Sequence, residues 1–219
     1  MIAPAGVSPT FWRLVLSEPL STLTVVDVGT GTGRLALGLA AYCRRVVGID
    51  RDAAAIEEAR RRAVAAGLGN VELLVLDAEA VDHYRALAED GTPPDLIVAH
   101  LCVSDRIIDN SARSLDRDRV LALVGFHADQ WRETGRRSRF AYDEDQMRRV
   151  LGARGFAVEH LEVEREVQEF DSVEAALAAA VGLQERWKAD GRWFHYVRFL
   201  EQGGRTLTRS HLVVKARKT

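Results

Sequence analysis

The chain has 219 residues, of which 47% are hydrophobic and 28% charged, and its formal net charge is −2. The composition is ordinary for a globular protein, and the length fits one large domain with a substantial core. The charge provides no basic field that could follow a phosphate backbone, which argues against a general nucleic-acid-binding protein.

Continuous apolar runs predict five strands over the first 126 residues, with helices between them. The strands are Val25–Val28, Arg45–Asp50, Val71–Asp77, Pro94–His100 and Arg119–Phe126. A helix begins near Leu35, and others span Asp52–Gly67, about Val81–Ala88, Ser104–Ser114 and Asp143–Arg154. Asp52 is a suitable N-cap and Gly67 a suitable C-cap. This alternation favours a parallel sheet covered by helices on both faces.

The carboxyl-terminal part of the chain departs from this alternation. Phe156–Phe170 predicts a long sixth strand, and Thr206–Ala216 predicts a seventh. Between them, residues from about 172 to 203 form a helical insert rich in aromatic residues such as Trp187. The insert could be a lid, a dimer surface or part of the core. Because no internal repeat or low-complexity linker is found, we predict a single domain over residues 1–219.

Polar residues follow the predicted strands at the points where they end. Right-handed crossovers place the carboxyl ends of parallel strands along one edge of the sheet. Ligands of open α/β sheets bind at that edge. The residues expected there are Asp27 with the glycines after it, Asp50, Asp77, His100 and His127. The sequence therefore predicts a ligand site at this edge.

The turn after the first strand contains glycines at alternate positions, Gly29, Gly31 and Gly33. A dinucleotide fingerprint requires glycines at its first, third and sixth positions, and the sixth position here is Arg34. Asp27, two positions before the first glycine, would repel a pyrophosphate and attract an ammonium group. Asp50 would also fit the ribose of a nicotinamide cofactor, so that alternative stays open, although the glycine spacing argues against it.

The D-x-G-x-G-x-G pattern resembles the class I S-adenosylmethionine-dependent methyltransferases of the small-molecule type, and residues 20–216 are broadly similar to the ubiquinone/menaquinone-biosynthesis group. The resemblance implies an α/β, Rossmann-like fold. Its seven-stranded sheet is mostly parallel with an antiparallel last strand, in the order 3-2-1-4-5-7-6, and helices cover both faces. It also implies direct displacement of a methyl group from S-adenosyl-L-methionine to a small-molecule substrate, with S-adenosyl-L-homocysteine as product.

The same resemblance assigns roles to the residues at the sheet edge. Asp27 would accept hydrogen bonds from the methionyl ammonium of the cofactor, directly or through water. Asp50 would bind both ribose hydroxyls, and Asp77 would accept from the adenine amino group. The remaining cofactor-binding positions are Gly29, Thr30, Gly31, Gly33, Arg51, Ala78 and His100. An alternative role for Asp52 and Asp77 is to cap the helices that follow them.

Acceptor residues are expected after the fourth and fifth strands. We predict that His127 or His100 is a catalytic base or an orienting group. The other expected substrate contacts are Asp129, Trp131, Arg139 and Tyr142. The amino-group methylases carry an Asn-Pro-Pro-Tyr motif after the fourth strand, where this chain has Ala99-His100-Leu101-Cys102. Two further interpretations stay open: a protein or RNA methyltransferase, and a cofactor-binding protein without catalysis.

Cysteine and histidine usage bounds the remaining properties. Cys43 and Cys102 are too few for a disulfide framework, and the six histidines form no metal-binding pair. No apolar run approaches the ~18 residues that span a membrane, and residues 1–10 lack the pattern of a signal peptide. We therefore expect a cytoplasmic protein with no metal and no membrane partner. Nucleic acid is not expected as a partner, and a homodimer is an arrangement that the insert would allow.

Overall fold

The computed structural model describes residues 2–85, 87 and 91–219. These residues form two compact units. Unit 1 comprises Met1–Gly125, Glu144–Glu162 and Val213–Thr219. Unit 2 comprises Phe126–Asp143 and Val163–Leu212.

The described chain contains eight strands. They are β1 (Thr24–Val28), β2 (Arg45–Asp50), β3 (Val71–Val75), β4 (Leu96–His100), β5 (Val120–His127), β6 (Ala141–Tyr142), β7 (Phe156–Glu169) and β8 (Thr206–Lys218). The sheet order is β3-β2-β1-β4-β5-β8-β7, and β6 pairs with the end of β5. Since β7 and β8 are the predicted sixth and seventh strands, the predicted order is confirmed. The two-residue β6 was not predicted.

Strand directions follow from the backbone pairing. The pairs β1–β2, β2–β3, β1–β4 and β4–β5 are parallel. Asp118 N–H donates to Lys218 O, and Lys218 N–H donates to Arg119 O. These bonds join the end of β8 to the start of β5, so β8 is antiparallel to β5, as predicted.

The described residues also form eight α-helices, of which the first precedes β1 and the others lie between strands. They are α1 (Pro9–Leu16), α2 (Arg34–Ala40), α3 (Ala53–Ala65), α4 (Asp105–Ser114), α5 (Glu144–Gly152), α6 (Val173–Ala180), α7 (Gln184–Asp190) and α8 (Arg192–Glu201). Helices cover both faces of the sheet. Asp52 is the N-cap of α3, because its carboxylate accepts from Ala54 N–H and Ala55 N–H. None of the described helices is long and apolar enough to cross a membrane.

Two local predictions differ from the structure. The helix α1 was not predicted, although Ser8 caps it and Pro9 begins it. The helix expected at about Val81–Ala88 is wrong over residues 81–85, none of which is helical. Ala86 and Ala88 lie outside the described residues. The physical reason is tertiary, because Tyr84 is fully buried and its hydroxyl donates to Ala78 O at 3.0 Å.

The core of unit 1 lies between the sheet and helices α1 and α2. It includes Val25, Val46, Leu96 and Val98 from the strands, Phe11 and Trp12 from α1, and Leu35 and Leu39 from α2. All five residues of β1 are buried, which explains its continuous apolar run. Asp27 is the one charged residue of this strand, at 1% exposure.

The core of unit 2 is aromatic. Trp131 and Trp187 pack edge to face with their ring centroids 5.3 Å apart, and Trp187 packs in the same way on Tyr196 at 5.6 Å. Ala176, Ala180, Leu200 and Leu207 complete the cluster. Trp187 and Tyr196 of the helical insert are therefore core residues, whereas Phe194 is 67% exposed. Whether the chain is one domain stays a prediction.

Candidate functional site

The glycine loop after β1 is held against β2 by backbone hydrogen bonds. Gly29 N–H and Thr30 N–H both donate to Ile49 O, at 2.9 and 3.0 Å. Gly29, Gly31 and Gly33 have φ angles of +73°, +54° and +83°. A Cβ atom at Gly29 would overlap the side chain of Cys102, whereas one at Gly31 would meet no atom within 4 Å. Gly29 thus permits close packing, and Gly31 borders open space.

The Asp27 carboxylate links the glycine loop to the start of α2. Its Oδ2 accepts from Thr30 Oγ1 at 2.7 Å and from Ala36 N–H at 3.1 Å. Because the N-cap of α2 is Gly33, which has no side chain, Asp27 supplies the carboxylate at the amino end of that helix. Burial raises the pKa of Asp27 to about 6.

Asp50 joins the end of β2 to the glycine loop. Its Oδ2 accepts from Gly31 N–H at 2.8 Å, and its Oδ1 accepts from Asp52 N–H at 3.0 Å. Each carboxylate oxygen has two lone pairs, so each can accept a second hydrogen bond. The strand spacing predicted the position of Asp50 but not its bond to the loop.

The segment after β3 contains Asp77 and Ala78. Asp77 is exposed, and its Oδ1 accepts from Glu79 N–H at 2.9 Å. Ala78 is buried, and its carbonyl accepts from Asn110 Nδ2 at 2.8 Å. β3 ends at Val75, two residues before the predicted end, so Asp77 lies on a turn rather than in the strand.

The end of β4 provides a histidine and a cysteine. Ser8 N–H donates to His100 Nε2 at 3.3 Å, and the Phe11 ring meets the imidazole edge on at 5.7 Å. Cys102 packs on Gly29. Burial, together with the nearby carboxylates of Asp50 and Asp27, raises the pKa of Cys102 to about 11. The sequence reasoning missed Cys102, although its position after a strand end was a signal that could have found it.

Unit 1 brings together the predicted loop residues and Asp50 at one edge of the sheet. In the same unit, Arg51, Asp77 and Ala78 follow the ends of neighbouring strands, and His100 is the last residue of β4. The predicted acceptor residues His127, Asp129, Trp131, Arg139 and Tyr142 all belong to unit 2.

His127 is buried in unit 2 within a polar network. Asp129 N–H donates to His127 Nδ1 at 3.2 Å, and Ser210 Oγ lies 2.9 Å from the same nitrogen. Ser210 N–H donates to Gln130 Oε1 at 2.5 Å. The Asp129 carboxylate forms an ion pair with Arg165. Ser210 and Arg165 come from distant parts of the sequence, so no local motif indicated them.

The other predicted acceptor residues have different environments. Trp131 belongs to the aromatic core and is 6% exposed, and Tyr142 is also buried. Arg139 is exposed, with its guanidinium carbon 4.5 Å above the centre of the Phe140 ring. Across residues 2–85, 87 and 91–219, no cluster of three histidine, cysteine or acidic side chains is arranged to hold a metal.

Comparisons with known proteins agree with this geometry. Residues 20–204 match the family described as a methyltransferase domain. No curated protein sequence matches the chain. The fold is similar to that of the YcgJ protein from Bacillus subtilis, with a TM-score of 0.68, 16% identity and coverage of 95% of this chain and 97% of that one.

Two further structures share the fold. Magnesium protoporphyrin IX methyltransferase from Synechocystis, solved with bound S-adenosylhomocysteine, has a TM-score of 0.61, 17% identity and coverage of 96% of this chain and 80% of that one. The [4+2]-cyclase SpnF has a TM-score of 0.63, 22% identity and coverage of 94% and 80%. The family match spans most of the chain, and the loop, the strand order and the acidic strand ends agree with it. The chain therefore belongs to the methyltransferase domain family and is an enzyme that uses S-adenosylmethionine as its methyl donor.

Proposed function

We propose that the protein transfers the methyl group of S-adenosylmethionine to a small-molecule acceptor by direct displacement. The observation that carries this proposal is the bond from Gly31 N–H to Asp50 Oδ2, beside open space at Gly31. It sets a carboxylate, with the two acceptor oxygens that a diol requires, next to a backbone that a ligand can approach. Transfer from a sulfonium requires alignment of the acceptor and exclusion of water more than covalent chemistry.

The cofactor would lie along the carboxyl edge of unit 1. We infer that Asp50 binds the ribose hydroxyls with the lone pairs that Gly31 and Asp52 leave, and that Asp77 accepts from the adenine amino group. Asp27 would attract the methionyl ammonium, directly or through water, because its buried charge faces little competition from solvent. Gly29, Thr30 and Gly33 shape the loop. Arg51 and Ala78 border the adenine, and His100 borders the methionyl end.

The histidine geometry favours orienting roles. Asp129 N–H donates to His127 Nδ1, which places the ring proton on Nε2 of the neutral imidazole. Such a ring donates through Nε2 and does not take a proton there. We therefore propose that His127 orients the acceptor by donating a hydrogen bond. His100 accepts a hydrogen bond from Ser8 N–H through Nε2, so by the same reasoning this nitrogen does not act as a base. We therefore propose a positioning role for His100.

Among the other acceptor residues, exposure separates the candidates. Arg139 is exposed and Asp129 is half-buried, so both can offer a charged group to a polar acceptor. Tyr142 is buried, and its contact with the acceptor stays a prediction. Trp131 packs in the core of unit 2, so it is not among the proposed contacts.

The net charge of −2 favours a small acceptor over RNA. We also infer a cytoplasmic location. The similarity to the ubiquinone/menaquinone group, and a homodimer, stay predictions.

Calorimetric titration with S-adenosylmethionine, S-adenosylhomocysteine and NADH tests the cofactor assignment. We expect micromolar binding of the first two only. Asp50→Ala should raise the dissociation constant of S-adenosylhomocysteine about a hundredfold or more, because charge-assisted hydrogen bonds are lost. The matched control is Asp52→Ala, which removes the cap of α3 and should change the constant about threefold or less. Equal effects of the two variants would contradict the assignment of Asp50.

Release of S-adenosylhomocysteine in the presence of phenols, amines and carboxylates then tests the acceptor class. Turnover of one class supports the proposal. Turnover only with protein or RNA would favour the alternative interpretation, a protein or RNA methyltransferase. Binding without turnover of any acceptor would favour a cofactor-binding protein. Because the [4+2]-cyclase SpnF has the same fold, the fold is not confined to methyl transfer, and the assay must detect methyl transfer itself.

A further inference from the structure

The segment at residues 77–85 forms turns and bends, so its carbonyl groups need partners from elsewhere. Asn110 of α4 supplies two of them, because its Nδ2 donates to Ala78 O at 2.8 Å and to Val81 O at 2.7 Å. The Tyr84 hydroxyl also donates to Ala78 O. Asn110 and Tyr84 are both completely buried. One asparagine thus joins the two ends of the turn that follows Asp77.

The orientation of the Asn110 amide is fixed by its neighbours. Arg113 Nη2 donates to Asn110 Oδ1 at 2.5 Å, and Arg113 Nε donates to Asp82 O at 2.7 Å. Ser114 Oγ accepts from Tyr84 N–H at 2.6 Å and donates to Asn110 O at 2.6 Å. Rotation of the amide would set its oxygen against the Ala78 and Val81 carbonyls, where it could not donate. Asn110 and Ser114 are thus polar residues on the buried face of α4 that bond to this segment.

We propose that Asn110 is a positioning residue for the recognition of adenine. It holds the backbone of residues 78–81, and through it the Asp77 carboxylate, in the place where that carboxylate reads the adenine amino group. The inference deepens the proposed function and depends on its assignment of Asp77. Asp77 is exposed, and one of its oxygens is already held by Glu79 N–H, so its direction depends on the backbone of this turn.

Discrimination is the property that such positioning controls. A carboxylate accepts a hydrogen bond from the 6-amino group of adenine but repels the 6-oxo group of hypoxanthine. If the turn relaxes, the carboxylate loses this contact and the preference falls. A purely structural asparagine would lower stability and leave the preference between the two bases unchanged.

The test compares dissociation constants for S-adenosylhomocysteine and S-inosylhomocysteine. We expect Asn110→Ala to raise the dissociation constant of S-adenosylhomocysteine about tenfold and that of S-inosylhomocysteine less than about twofold. The preference for the adenine ligand should therefore fall close to tenfold. The matched control is Ser111→Ala, since Ser111 is equally buried on α4 but its hydroxyl donates only to Ile107 O at 2.8 Å, within the helix. This control should lower the melting temperature and keep the preference.

A second variant covers the case in which Asn110→Ala does not fold. Arg113 is exposed, so Arg113→Ala should fold, and we expect it to lower the preference about two- to threefold by freeing Asn110 Oδ1 and Asp82 O. An unchanged preference in the folded variants overturns the role of Asn110. A wild-type protein that binds both ligands equally overturns instead the assignment of Asp77 in the proposed function. The two failures are therefore distinguishable.

Discussion

Binding of the cofactor should depend on pH through Asp27. Burial raises the pKa of this carboxyl from 3.8 to about 6 in the free protein. If a bound ammonium returns the pKa to 3.8, linkage predicts that affinity falls about tenfold between pH 7 and pH 5, with close to one proton released at pH 5. Titration calorimetry in two buffers of different ionisation enthalpy measures both quantities.

The variant Asp27→Asn keeps an acceptor for Thr30 and Ala36 but cannot titrate. Its affinity for S-adenosylhomocysteine should be weaker at pH 7 and independent of pH over the same range. Equal pH dependence in the wild type and the variant would refute the reasoning, because the proton would then belong to another group. The same pKa shift also fixes how the stability of the free protein depends on pH. A raised carboxyl pKa favours the folded state below about pH 4, and this contribution, about 3 kcal/mol, is lost as pH rises through 6.

Three further predictions concern single positions. Gly29→Ala should cost about 3 kcal/mol of unfolding free energy, because its Cβ would overlap Cys102 at a positive φ. Gly31→Ala should cost about 1 kcal/mol and mainly weaken cofactor binding, because its Cβ would meet no atom within 4 Å. Equal losses in urea denaturation would contradict this difference. Trp187→Phe should cost about 1–2 kcal/mol of unfolding free energy, and Trp187→Ala about 3–5 kcal/mol, since Trp187 Nε1 has no hydrogen-bond partner among the residues described. Similar costs for the two variants in urea denaturation would show that the indole nitrogen matters. His127→Ala should lower kcat at least about tenfold and leave the dissociation constant of S-adenosylhomocysteine within about twofold, and a larger change in binding than in kcat would assign His127 to the cofactor.

The strands β1, β2, β4 and β5 and the loop could be predicted because burial on both faces favours continuous apolar runs, and Asp27, Asp50 and His100 lie at or near the carboxyl ends of these runs. Asp50 followed such a run, and its position needed no knowledge of side-chain packing. Its bond to Gly31, by contrast, joins the end of β2 to the loop after β1 and leaves no trace in the local pattern. The same holds for Ser210 beside His127, which lies 83 positions further along the chain.

Two errors have local causes. Val81, Asp82, His83 and Tyr84 are weak helix formers. The bonds from Tyr84 to Ser114 of α4 and to the Ala78 carbonyl hold this segment in another conformation. The helix α1 has only eight residues, too few for a clear period, although Ser8 as N-cap and Pro9 at the first position are a recognised start signal. Cap chemistry would have found this helix where periodicity did not.

The aromatic core of unit 2 also limits how the protein can be shortened. Trp131 comes from the segment after β5, whereas Trp187 and Tyr196 come from the insert between β7 and β8. Excision of the insert would therefore not remove an independent lid. It would uncover Trp131 and Leu207 and leave an apolar surface prone to aggregation. Engineers who seek a minimal catalytic scaffold from this chain should replace exposed residues such as Phe194 and retain α7 and α8.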